Sequence, residues 1–361
     1  MTETNTTETA GVPADEGHLG QRGERILTVK DLTVQFPTAD GLVNAVNGLS
    51  YSLDMGKTLA IVGESGSGKS VSSMAVMGLH DPQRTRISGS IELDGTELVG
   101  ASPSLLRRMR SSTASMIFQD PQSSFHPFKK IGPQIAEAYL AHHKVSKQVA
   151  MNRSVEMLDR VGIPNPGRRA KQYPHEFSGG MRQRAMIALG LVNDPKLLIA
   201  DEPTTALDVT VQAQILDLLG DLQKEFGSAI VLITHDLAVV AEVADDVMVM
   251  YGGRAVEHGT AHEVLANPRH PYTWGLLGSV PKLSSQGGNL RTIRGLPPSL
   301  INLPTGCSFH PRCDFRDRVG EACVTTLPEL AVREGDTTRT SRCHLQNPAE
   351  IFETEVAATL E

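Results

Sequence analysis

The chain of 361 residues has no apolar run that approaches the ~18–20 residues needed to cross a bilayer. It is therefore not expected to span a membrane itself, and any membrane role has to run through partner subunits. Positive charge is in short supply. Lys and Arg total 34 against 41 Asp and Glu, for a net charge of −7. Binding to nucleic acid usually needs a basic surface, so nucleic acid is set aside as the main partner. Cysteine is scarce, and all four (Cys307, Cys313, Cys323, Cys343) fall in the last 55 residues, with no C-x-x-C among them. Internal repeats and heptad runs are missing too, which removes repeat arrays and coiled coils. The opening stretch, MTETNTTETAGVPADEGHLGQRGE, lacks the basic start and apolar middle of a secretory signal. It reads as a disordered tail over 1–24, and the protein is expected to stay in the cytoplasm.

What remains is globular in balance, 40% hydrophobic and 21% charged, and long enough for about two domains. From Ile26, ILTVKDLTVQF alternates in part, as a half-buried strand does, and AVNGLSYSLDMG reads as a second strand. TLAIV is a short apolar run suited to a buried parallel strand, and it leads through GESGSGKS into a helical stretch, VSSMAVMGLH. SLLRRMR reads as a polar helix before SMIFQD. A helical insertion is expected from about 121 to 173, part of a helical subdomain over about 120–185. KLLIADEP and AIVLITHD are two further buried strands, separated by an amphipathic helix, VQAQILDLLGDLQKEF. DDVMVMYGGRAVEHG reads as a strand and hairpin. Beyond about His270 proline becomes frequent and the cysteines appear, so a separate C-terminal module is expected over 266–361, after a main domain over 25–265.

Two motifs carry phosphate chemistry. Gly63, Glu64, Ser65, Gly66, Ser67, Gly68, Lys69 and Ser70 fit G-x-x-x-x-G-K-[ST]. The glycines let successive N–H groups point at one spot, which lies at a helix N-terminus where a phosphate is favoured. Lys69 would supply charge to the β- and γ-phosphates, and Ser70 a hydroxyl to Mg²⁺. The bland alternative is a Gly/Ser-rich surface loop, but the strand before and the helix after argue against it. LLIADE ends an apolar run in two carboxylates, at the strand end where α/β sheets bind ligands. Asp201 is expected to reach Mg²⁺ and Glu202 to orient or deprotonate the attacking water. A third element, Ser178, Gly179 and Gly180 in FSGGMRQR, precedes a helix and can form a second phosphate-binding N-terminus. One nucleotide hardly needs two such loops from one chain, so the second is expected to serve a neighbouring subunit.

In this order the elements resemble the nucleotide-binding domain of an ATP-binding cassette (ABC) protein, an α/β P-loop NTPase fold with a helical subdomain. GESGSGKS resembles its Walker A loop, LLIADEP its Walker B strand and FSGGM its LSGGQ signature, with Phe177 for Leu and Met181 for Gln. The resemblance implies Gln119 as the Q-loop glutamine and an Mg²⁺ ligand, Asp208 in TALD as the D-loop residue, His235 as the switch histidine and Phe36 as the aromatic that stacks on adenine. Taken singly, Gln119 would be an ordinary polar side chain facing water, His235 a loop residue and Phe36 edge packing. Their order in the chain raises them.

HPYTWGLL, the Pro-rich stretch after it, CSFHPRC and IFQDPQSSFHP narrow the resemblance to the ATPases of oligopeptide and dipeptide importers, with related nickel importers sharing the tail. It implies an ATP-hydrolysing subunit at the cytoplasmic face of the membrane. Its partners would be a sister ATPase of different sequence, two permeases and, indirectly, an external solute-binding protein. Soluble translation ATPases of the family usually carry two cassettes in one chain, and the DNA-repair type inserts a long coiled coil; neither pattern is present. The cysteine spacing, C-x5-C-x9-C-x19-C, lacks the common zinc-ribbon form. Four thiolates still suit Zn²⁺ or a [4Fe–4S] cluster, and the family tail tips the expectation to iron–sulfur. His310 and His344 are rival ligands, and four ordinary buried thiols are the bland alternative.

Overall fold

The computed structural model describes residues 23–120, 124–205, 207–279, 292–333 and 335–357. The expected N-terminal tail lies outside the described residues up to residue 22. Two sheets organise the fold. The smaller is antiparallel, in the order β2-β1-β4-β5, from β1 (Arg25–Thr38), β2 (Gly41–Asp54), β4 (Arg86–Leu93) and β5 (Thr96–Glu97). Alternation along β1 buries Leu27, Val29, Leu32 and Val34 on one core with Val46, Leu49 and Leu53 of β2.

The larger sheet has eight strands in the order β11-β12-β10-β9-β3-β8-β7-β6. Its last five strands in that order are parallel: β9 (Asp246–Tyr251), β3 (Thr58–Val62), β8 (Ala229–Thr234), β7 (Leu197–Asp201) and β6 (Ala114–Ile117) at the edge. Strands β3, β6, β7 and β8 are buried at every position. Parallel strands are covered on both faces, which is why their sequences are near-continuous apolar runs. Helices α1 (Lys69–Val76), α7 (Val209–Phe226) and α8 (Leu237–Val243) supply cover, while α2 (Pro103–Met109) lies near the small sheet. The expected helical insertion is present as α3 (Ile131–Leu140), α4 (Lys147–Arg160) and the short α5 (Pro166–Arg169). These lead to α6 (Gly179–Leu191), and Ile131, Ile135, Met157, Leu158 and Ile187 share one core.

After β10 (Arg254–Thr260), the chain forms α9 (Ala261–Ala266) and α10 (Pro271–Gly278), then returns to the large sheet. There β12 (Thr340–Ser341) pairs with β10, and β11 (Ala331–Val332) with β12. The start of α10 is held by a buried carboxylate. Glu257 accepts from the amides of Arg269 (2.6 Å) and His270 (3.0 Å) and from the Thr273 hydroxyl (2.6 Å). Burial outweighs those hydrogen bonds and raises the Glu257 pKa to about 7. The folded chain thus holds this proton more tightly than the unfolded chain. The stability Glu257 contributes is greatest below the ordinary carboxyl pKa of ~4.3 and falls as the pH rises to about 7. Between pH 5 and 7.5 the stability difference between the parent and Glu257→Gln should move in favour of the variant by on the order of 2 kcal/mol. Urea unfolding at both pH values measures it, and a constant difference would contradict it.

A candidate nucleotide site at the strand ends

Four adjacent parallel strands, β3, β8, β7 and β6, deliver the site from their carboxyl ends. The end of β3 runs into the loop 63–70, which takes positive φ at Gly63 (151°), Gly66 (78°) and Gly68 (100°). Gly68 admits no side chain: a Cβ there would lie 2.3 Å from the carbonyl oxygen of Ala45. Gly68→Ala should therefore cost about 2–4 kcal/mol of stability and open the loop. Urea unfolding and nucleotide binding would both report it, and unchanged values would sink the close-approach argument.

Gly68 caps α1, and Lys69 opens it. Lys69 is 6% exposed, and its ammonium donates to the carbonyls of Gly63 (2.7 Å) and Glu64 (2.9 Å). Burial pulls its pKa down, against the opposing pull of the Glu202, Asp201 and Glu64 carboxylates. Ser70 Oγ donates to Asp201 Oδ1 at 3.0 Å, which joins the loop to the end of β7. Burial raises the Asp201 pKa; the Ser70 hydrogen bond and Lys69 act the other way, and Glu202 adds to the rise.

Glu202 sits just past β7 with φ of 48°, a left-handed conformation uncommon outside glycine. Its amide donates to the carbonyl of Ile233 on β8 at 2.9 Å, which fixes the backbone. Glu202 Oε2 accepts from Gln119 Nε2 (2.9 Å) and Thr205 Oγ1 (2.8 Å), and Oε1 lies 3.5 Å from His235 Nδ1. Gln119 follows β6 and His235 follows β8, so Glu202 is flanked from both neighbouring strands.

These contacts bring together Ser70, Gln119, Asp201, Glu202 and His235, with Lys69 in electrostatic reach of both carboxylates, all expected from the sequence. Thr205 is an addition, signalled only by a hydroxyl three residues after a carboxylate. The other expected residues are held locally. Ser178 caps α6, its Oγ accepting from the amide of Met181 (3.3 Å), with Gly179 and Gly180 as the first helical residues. This helix start adjoins α7, where a Cβ on Gly180 would lie 3.1 Å from Val211. Asp208 caps α7, accepting from the amide of Val211 at 2.9 Å. Phe36 is half-buried on β1, edge-on to His80 with ring centroids 5.5 Å apart.

The four cysteines lie within electrostatic reach of one another. Among the described residues, no three His, Cys, Asp or Glu side chains are grouped to hold a metal ion. Cys307 and Cys313 pack against a core around Tyr251, Tyr272 and Phe309, whereas Cys343 belongs to a second one with Trp274 and Phe352. Burial raises all four thiol pKa values, that of Cys313 and of Cys343 to about 12. His310 and His344 complete no ligand group either. The sequence expectation of a [4Fe–4S] or Zn²⁺ site therefore has no ligand group to support it among the described residues, although the thiols of Cys307, Cys313 and Cys323 all lie near enough to Cys343 to help raise its pKa.

A family model described as "ABC transporter" matches residues 46–205, and one described as "Oligopeptide/dipeptide transporter, C-terminal region" matches 256–319. The oligopeptide transport ATP-binding protein OppD of Escherichia coli K12 is 53% identical over 306 residues, covering 85% of this chain and 89% of OppD. The chain belongs to the ABC transporter family. Its relatives in that family include the dipeptide transport ATP-binding protein DppD of Bacillus subtilis, 48% identical over 325 residues, 90% of this chain and 96% of DppD. Solved ABC structures share the fold. CbiO1 of Clostridium perfringens, part of the ABC transporter complex cbiONQ, matches with a TM-score of 0.58 at 31% identity, over 67% of this chain and 91% of CbiO1. The dimeric ATP-binding cassette MJ0796, bound to ADP and Pi, matches with a TM-score of 0.59 at 24% identity, over 65% of this chain and 99% of MJ0796.

Proposed function

We propose that this chain is the ATP-hydrolysing subunit that powers import of oligopeptides or dipeptides through partner permeases. The observation that carries the reading is the Glu202 network at the ends of four parallel strands, in a chain 53% identical to OppD. The phosphate loop 63–70 cradles the phosphates with its backbone amides, and Lys69 faces their charge. Phe36 is the proposed contact to the adenine. The Ser70 hydroxyl and the Asp201 carboxylate, 3.0 Å apart, are hard oxygen donors that suit Mg²⁺, with Gln119 beside Glu202 as the third candidate. When bound, the ion neutralises phosphate charge. Glu202 accepts a proton from the attacking water, and Gln119, Thr205 and His235 hold the carboxylate in place for it.

Ser178–Gly180 and Asp208 are proposed to serve the nucleotide of a sister ATPase, since each stands at a helix N-terminus apart from the hydrogen-bonded network of this chain's own site. ATP then favours the closed pair because it adds contacts to both faces. Among the described residues no helix is long and apolar enough to cross a membrane. Attachment to the cytoplasmic face is proposed to run through two permeases docking on residues 120–175, where Phe128 is 83% exposed; the external solute-binding protein acts indirectly. The division into a nucleotide-binding unit over 25–265 and a C-terminal unit over 266–361 belongs to this reading. Affinity purification from membranes tests it. Two permeases and a second ATPase should come with this chain, with peptide-stimulated ATP hydrolysis. A chain that hydrolyses ATP yet purifies free of permeases would refute the transporter role.

A further inference from the structure

The phosphate loop has a second set of contacts, from a part of the chain more than 200 residues away. Arg312 lies in the turn His310–Arg312, directly before Cys313, and its guanidinium grips the Glu64 carboxylate with both arms. Nη1 is 2.6 Å from Oε2, and Nη2 is 3.0 Å from Oε1. The Arg312 side chain is 5% exposed, and its guanidinium is held from behind: Nε donates to the carbonyl of Arg294 (2.8 Å) and Nη2 to that of Gly295 (3.2 Å). A planar fork fixed on four sides is a rigid support for a carboxylate. A second contact reaches the backbone of the same residue. The Glu64 amide donates to the hydroxyl of Tyr272 at 2.8 Å. Tyr272 is fully buried in the first turn of α10, with its ring against Tyr251 and Phe309.

Glu64 is also one of the three carboxylates that act on Lys69. Without Arg312, its negative charge would sit beside the phosphates and compete with them for the ammonium. We propose that Arg312 and Tyr272 are positioning residues through which the C-terminal segment sets the phosphate loop, Arg312 by neutralising the Glu64 carboxylate and Tyr272 by anchoring its amide. The inference rests on the nucleotide site proposed above, and it makes ATP affinity depend on the fold of the Pro- and Cys-rich tail.

The test is equilibrium binding of a fluorescent N-methylanthraniloyl-ATP with Mg²⁺ to the full chain, followed by steady-state kinetics in the permease complex. Arg312→Met should raise Kd and the KM for ATP about tenfold, with kcat at saturating ATP changed by less than about twofold. In a Glu64→Gln background the same substitution should cost at most about twofold, because the charge that Arg312 neutralises is gone. Arg312→Lys, which keeps a cation there, should lose less than about threefold. Tyr272→Phe keeps the ring packing and should weaken binding about threefold; it carries the test if Arg312→Met fails to fold. Equal losses from Arg312→Met in the parent and Glu64→Gln backgrounds would make the arginine a structural support only and overturn the proposal. So would a parent that binds the probe while Arg312→Met and Tyr272→Phe bind it equally well. A parent chain that does not bind the probe at all would remove the nucleotide site itself.

Discussion

Glu202→Gln should lower steady-state ATP hydrolysis in the assembled transporter by at least 100-fold and leave ATP trapped in a closed pair of ATPases. The size follows from the share a positioned general base usually supplies, about 10²–10⁴ in rate. The geometry makes the substitution clean. Glu202 Oε2 accepts two hydrogen bonds, from Gln119 and Thr205, which a glutamine carbonyl oxygen can also accept. The amide nitrogen would then take the Oε1 position beside His235. Shape and partners survive, and the proton acceptor is lost. Removing this charge also removes the repulsion that helps to raise the pKa of Asp201, so nucleotide binding should persist. Single-turnover hydrolysis, with gel filtration of the ATP-bound complex, measures both halves. A kcat within about threefold of the parent would exclude Glu202 as the base.

Lys69→Met should weaken ATP binding about 100-fold, which corresponds to about 3 kcal/mol. Methionine nearly matches the lysine stem in length and suits a buried position. The substitution therefore removes charge rather than volume. What stays behind is unfavourable to a phosphate tail: Asp201 and Glu202 act electrostatically on this point, while Glu64 is paired with Arg312 and the start of α1 is left to oppose the two carboxylates. A melting temperature within about 3 °C of the parent separates lost affinity from lost fold. Binding within threefold of the parent would contradict the role given to Lys69.

The strands that build the site were readable because burial on both faces demands continuous apolar runs, and TLAIV, LLIAD and AIVLIT carry polar residues only at their ends. The residues at their ends were readable from order and type: a glycine loop, paired carboxylates, a lone histidine. Their convergence on Glu202 was not, because it depends on strand order, and β8 stands between β3 and β7 though it follows both in the chain. Arg312 and Tyr272 lie in the CSFHPRC and HPYTWGLL segments singled out from the sequence, but nothing local tied them to Glu64, which each meets across more than 200 residues. The cysteines were only half legible. Spacing counts potential ligands, but it does not show that Cys307, Cys313 and Cys323, up to 36 residues away in the chain, come within electrostatic reach of Cys343. Strands β11 and β12 are two residues long, too short for any periodic pattern.

That last pair of strands bears on how the chain can be shortened. The C-terminal family model ends its match at residue 319, whereas the backbone of Thr340 and Ser341 covers β10 from outside. A product ending at 319 would leave β10 with bare amides and carbonyls along one side. Such an unprotected rim is a template for sticking to other molecules, so clipping by proteases near the carboxyl end should show itself first as self-association and only later as lost turnover.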